Sequence, residues 1–81
     1  MSRANISGRR IREMRRNSNL KLVELSAALE IDYGIKLSEA DLSKIEHNQR
    51  GVKDYELHAF AQLFEVPMDF LVSQHPNQTE E

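Results

Sequence analysis

The 81-residue sequence contains no cysteine, which excludes a disulfide framework, a thiolate metal site and a cysteine nucleophile. Three glycines and two prolines are what an ordinary globular composition carries. No apolar run approaches a bilayer span and no charged-then-apolar signal segment opens the chain, so the expectation is a cytoplasmic protein without membrane contact. His47, His58 and His75 lie 11 and 17 residues apart, without the i, i+4 spacing or neighbouring ligands of a metal site, and none is expected. A nucleophile elbow and a Gly-rich phosphate loop are both lacking. A domain this small rarely forms the concave pocket that catalysis needs. The chain therefore reads as a non-enzyme with no cofactor and no small-molecule ligand. Its few aromatics (Tyr33, Tyr55, Phe60, Phe64 and Phe70) sit at core spacing and do not form a base-stacking platform.

Charge is plentiful but unevenly placed. The net value is −2, which alone says nothing of nucleic acid. Up to Lys21, however, the basic residues Arg3, Arg9, Arg10, Arg12, Arg15, Arg16 and Lys21 face a single acid, Glu13. From Leu22 onward acids outnumber bases by twelve to four. Such asymmetry either marks a footprint for phosphates at one end or is a solvated, Arg-rich helix face.

Hydrophobic periodicity predicts an all-α chain, a compact bundle of five short helices. The first begins after Ser7 as N-cap and runs to about Asn17, with a thin stripe of Ile11 and Met14. Asn17-Ser18-Asn19 ends it as a turn, because these side chains compete for backbone hydrogen bonds. The second covers roughly Lys21 to Glu30, with Leu22, Leu25 and Leu29 on one face. Ile31–Leu37 reads as a loop with a Gly turn whose Ile31, Ile35 and Leu37 tuck against the core.

The third helix, about 38–47, has the clearest start. Ser38-Glu39-Ala40-Asp41 fits the S-x-x-D capping box, Leu42 and Ile45 point inward, and Asn48 is a left-handed stop. The fourth starts at Asp54 as N-cap, with Leu57, Phe60, Ala61 and Phe64 on its core face. A short fifth follows Pro67 and closes the core with Met68, Phe70 and Leu71. These elements divide the chain into a basic N-terminal arm (1–7), one domain (8–72) and a polar C-terminal tail (73–81) expected to be disordered.

On a helical wheel the third helix turns Ala40, Ser43, Lys44 and His47 away from Leu42 and Ile45. That strip is small, neutral or cationic, as entry into a major groove about 12 Å wide requires; a plain solvated face has the same look. Arg15 flanks the stripe of the first helix and Glu46 that of the third, so the two charges are expected to meet as a partly buried structural pair.

From Gly8 to Val72 the chain resembles the Cro and phage-repressor (Xre-type) helix-turn-helix family. The resemblance is carried by Gly8 to Arg15 (GRRIREMR), Leu20 to Ser26, Leu42-Ser43-Lys44-Ile45-Glu46, Arg50 to Leu57 (RGVKDYEL) and Phe64 to Leu71 (FEVPMDFL). It implies a lambda-repressor-like domain of five helices, a recognition helix at Ser38–His47, an Arg15–Glu46 salt bridge and a homodimer reading two-fold double-stranded DNA. The chain departs from the pattern in a longer loop between the second and third helices, similar to a subgroup with such a loop. It also carries Lys21 and Leu22 where the family has a hydroxyl cap and a phosphate-binding Gln. Glu39 and Asp41 fall where base-reading polar or basic residues often stand; both also suit a helix's first turn.

The function expected is sequence-specific transcriptional regulation, repression foremost. Glu39, Ala40, Ser43 and Lys44 would face bases from a helix opened by Ser38. Arg16, Lys21, Gln49 and Arg50 would hold phosphates, and Arg3 on the arm would reach the backbone or minor groove. The alternative is a protein-interaction module of the same fold, an antitoxin-like or anti-repressor partner with weak or no DNA binding, which the acidic stretch from Leu22 onward and Glu39 and Asp41 favour.

Overall fold

The computed structural model describes residues 6–72. Five helices follow one another: α1 (Ile6–Asn17), α2 (Leu22–Tyr33), α3 (Glu39–Glu46), α4 (Asp54–Phe64) and α5 (Met68–Val72). No strand occurs among the described residues, and the fold is an all-α five-helix globule. Helix α1 packs against α3, α4 and α5, while α2 packs against α3 and α4. Every helix sends at least one fully buried side chain inward: Ile11, Leu25 and Leu29, Leu42 and Ile45, Phe60, and Leu71. The parallel rings of Phe60 and Phe64, with centroids 6.5 Å apart, extend the core along α4.

Helix starts depend on carboxylates. Lys21 and Lys53 are the N-caps of α2 and α4, and an ammonium has no lone pair to offer the first-turn amides. Instead Glu24 accepts the Lys21 N–H at 2.7 Å, and Glu56 accepts the Lys53 N–H at 2.9 Å. At α3 the box is reciprocal: Ser38 Oγ accepts the Asp41 N–H at 3.0 Å and Asp41 Oδ2 accepts the Ser38 N–H at 3.1 Å.

Helix ends use left-handed residues. Asn19, Asn48 and Glu65 have φ of 59°, 63° and 59°. After each, an amide reaches back five residues, from Leu20 to Arg15, Gln49 to Lys44 and Val66 to Ala61, the bond that closes a Schellman motif.

Several boundaries and burials differ from the sequence reading. Ser7 is not the cap of α1; it lies buried in the first turn, so residues 6 and 7 belong to the helix and not to an arm. The rest of that arm, including Arg3, and the polar tail 73–81 lie outside the described residues. Helix α2 continues to Tyr33, three residues past Glu30. There Gly34 turns left-handed (φ 67°) and the amides of Gly34 and Ile35 return to the carbonyls of Glu30 and Leu29. The expected loop is therefore half helix, and Ile31, expected in the core, is carried to the outer face at 79% exposure. Leu37 does enter the core, Ile35 packs at its edge and Met68 stays on the surface. Asp54 is the first helical residue of α4, and the cap is Lys53. Ser38 and His47 flank α3 as its caps.

Candidate nucleic-acid interface

Helix α3 is anchored on one side only. Leu42 and Ile45 are fully buried and Glu46 is 5% exposed, which fixes the helix in rotation. The opposite strip is then determined: Glu39, Ala40, Lys44 and His47 are exposed and Ser43 is half-buried. His47 folds back along the helix, with Nδ1 2.8 Å from the Ser43 carbonyl oxygen, a contact that requires its proton on Nδ1. Lys44 is thus left as the cation projecting from this strip. Asp41, half-buried at its edge, is committed to the cap. The Ser38 amide and then its hydroxyl hold the Asp41 carboxyl below its ordinary pKa, and the charges of Arg50 and Lys44 add to this.

Arg15 ties α1 to α3 and to the turn before α2. Its Nε donates to Glu46 Oε2 at 2.7 Å and its Nη2 to Oε1 at 3.0 Å, while Nη1 donates to the Leu20 carbonyl at 2.8 Å. The bidentate pair raises the guanidinium pKa, chiefly through the Glu46 hydrogen bonds. The consequence is positional: the end of α1, the turn that leads into α2 and the last turn of α3 all lie within reach of one side chain. Arg16 and Lys21, the sequence neighbours of Arg15 and Leu20, are both exposed there. Gln49, just beyond α3, is exposed as well. Arg16, Lys21, Gln49 and Lys44 are thus all exposed, as is the acid Glu39 on the outer strip of α3.

Arg50 is held by an acid. Its two terminal nitrogens grip Glu56 at 3.1 and 3.0 Å, and Glu56 is only 2% exposed. The Arg50 side chain nevertheless stays 26% exposed, so the pair with Glu56 gives it a structural role while part of the guanidinium still faces solvent. Burial is the largest influence on the Glu56 carboxyl and pushes its pKa up. The Arg50 and Lys53 hydrogen bonds and charges outweigh it, and the net shift is downward.

Sequence reasoning passed over Glu56 and Arg10. Glu56 carries the signal of a glutamate three residues after a helix cap. Arg10 Nη1 donates to the Phe70 carbonyl at 2.9 Å and its guanidinium lies 4.6 Å from the Phe70 ring centroid, pinning α5 to α1. Its position beside the Ile11/Met14 stripe was the available clue, the same clue that marked Arg15.

A concavity of about 540 Å³ is an open groove lined by Tyr33, Ile35, Lys36, Tyr55 and His58 among others. It includes none of the outward α3 residues. Its buried acid, Glu56, is paired with Arg50. No cluster of metal-ligating side chains occurs among the described residues, nor is any described helix long and apolar enough to cross a membrane. Comparison with family models, curated proteins and solved structures returned no match.

Proposed function

We propose that the protein is a sequence-specific DNA-binding transcriptional regulator, in which α2 and α3 form a helix-turn-helix of the lambda-repressor-like kind and α3 enters the major groove. The observation that supports this most is the one-sided anchoring of α3. Leu42 and Ile45 are fully buried, and the outer strip presents small Ala40, the Ser43 hydroxyl, the Lys44 ammonium and His47, with the Glu39 carboxylate at its edge. Ala40, Ser43 and Lys44, with Glu39 at the edge, meet base edges; Arg16, Lys21 and Gln49 meet phosphates. Two copies on a two-fold site place their recognition helices about 34 Å apart, one turn of the duplex. Bound at a promoter, such a dimer represses by occupying it.

Titration of mixed-sequence duplexes at two salt concentrations tests the reading. Each phosphate neutralised by a side chain contributes about −0.9 to the slope of log affinity against log salt, so binding weakens steeply as salt rises. Selection from a random duplex pool then yields the preferred site. Replacing Ser43 and Lys44 together by Ala lowers affinity for that site by about tenfold or more, on the scale of one or two lost base contacts, and leaves the melting temperature nearly unchanged. No duplex binding at low salt would overturn the proposal in favour of a protein-interaction module.

A further inference from the structure

Helix α2 is apolar on both sides. Leu22, Leu25, Leu29 and Tyr33 face the core, while Val23, Ala27 and Ile31 lie on the solvent side, spaced i, i+4, i+8. Val23 is 52% and Ile31 79% exposed. At about 100° per residue the three fall within about 80° of arc, opposite the buried leucines. A helix with apolar residues all round is normally covered on both sides; scattered single apolar residues on a surface need no such account, but an aligned stripe does. Its margins are acidic: Glu30 borders one edge and Glu24 the other, both exposed.

We infer that this outer face of α2 docks a basic amphipathic helix of another protein. Large apolar side chains of the partner would seat along Val23, Ala27 and Ile31, with small Ala27 admitting close approach, and its Lys or Arg side chains would flank them against Glu24 and Glu30. A second copy of this chain fits less well. Both margins of its own stripe are acidic as well, so pairing two copies brings like charges to one seam, where they repel. Nor do the described residues hold a complementary segment. The exposed arginines of α1, Arg9, Arg12 and Arg16, have no exposed large apolar neighbour on that helix.

The inference stands apart from DNA binding and is tested separately. The probe is a synthetic helical peptide with leucines at i, i+4 and i+8 and lysines on either side of them, titrated into the isotope-labelled full chain. Amide shifts are expected to centre on Val23, Glu24, Ala27, Glu30 and Ile31. Ile31→Lys and Val23→Lys each weaken binding by about tenfold or more, as truncation of an interface anchor does, without lowering the melting temperature. The same peptide with glutamates for lysines does not bind. Shifts spread over all acidic surfaces, or affinity indifferent to Ile31→Lys, would sink the proposal. Sedimentation showing a dimer that Ile31→Lys dissociates would replace the partner by a second copy. Duplex affinity of Ile31→Lys stays at the wild-type level, so the two readings fail independently.

Discussion

At Gly8 the absence of one methyl group decides how closely α1 can lie against α3. A Cβ there collides with the Ile45 carbonyl oxygen, which is backbone and cannot swing aside. Gly8→Ala must separate the two helices; overpacking of this kind costs about 1–3 kcal/mol, read as a lower denaturant midpoint with unchanged slope. Glu56 carries the second residue-scale prediction. Folding depresses its pKa, so the stabilisation is fully present above the ordinary carboxylate value of about 4.3 and is lost as pH falls through the lower folded value. Glu56→Gln should be less stable at neutral pH by about 1–3 kcal/mol, because Arg50 loses its charged partner. Its melting temperature should also fall less steeply with acid than the wild type's. Parallel curves for the two proteins would show that Glu56 is not the group responsible.

Among the elements, α4 ends on the least suited residue. Asn19 and Asn48 tolerate the left-handed region, but Glu65 occupies it at φ 59° with an ordinary Cβ. That conformation costs a non-glycine residue about 1–2 kcal/mol. Glu65→Gly should therefore stabilise the protein by about 1 kcal/mol, raising the melting temperature by about 4–8 °C in a domain of this size. A decrease would mean that the Glu65 side chain contributes more than its backbone costs. The same logic explains why α2 overran its expected end: Ile31-Asp32-Tyr33 adds a turn before Gly34 provides the left-handed stop.

As a whole the described residues share one small core, drawn from every helix, in which Phe60 is the largest fully buried side chain. Truncation of a buried Phe to Ala costs about 3–5 kcal/mol, against a total of roughly 4–12 kcal/mol for a chain of this length. Phe60→Ala should lower the melting temperature sharply, and helicity and tertiary signals should be lost in one coincident transition. Separate transitions would contradict a single core. Charge is also organised at this scale. Of the basic residues near the N-terminus, Arg10 and Arg15 hold the bundle together, so only the exposed remainder contributes to a surface that phosphates can meet.

The local rules in the sequence were enough to place five helices, the Ser38–Asp41 box and the Asn48 stop, because caps and apolar stripes act over one or two turns. They also marked Arg15 and Glu46 at stripe edges, since a charge beside buried leucines needs a partner. Tertiary packing alone decided the rest. It buried Ser7 in the first turn of α1 instead of leaving it as a cap. It gave Arg50 to Glu56 and Arg10 to Phe70, pairings that depend on how separate helices dock. It also turned Ile31 outward, since the face a residue occupies follows from where its helix ends. The absence of cysteine and of long apolar runs excluded whole classes of chemistry without any structure. Which of the abundant charges remain exposed beside α3 depended on the fold, because burial and pairing are properties of the folded chain.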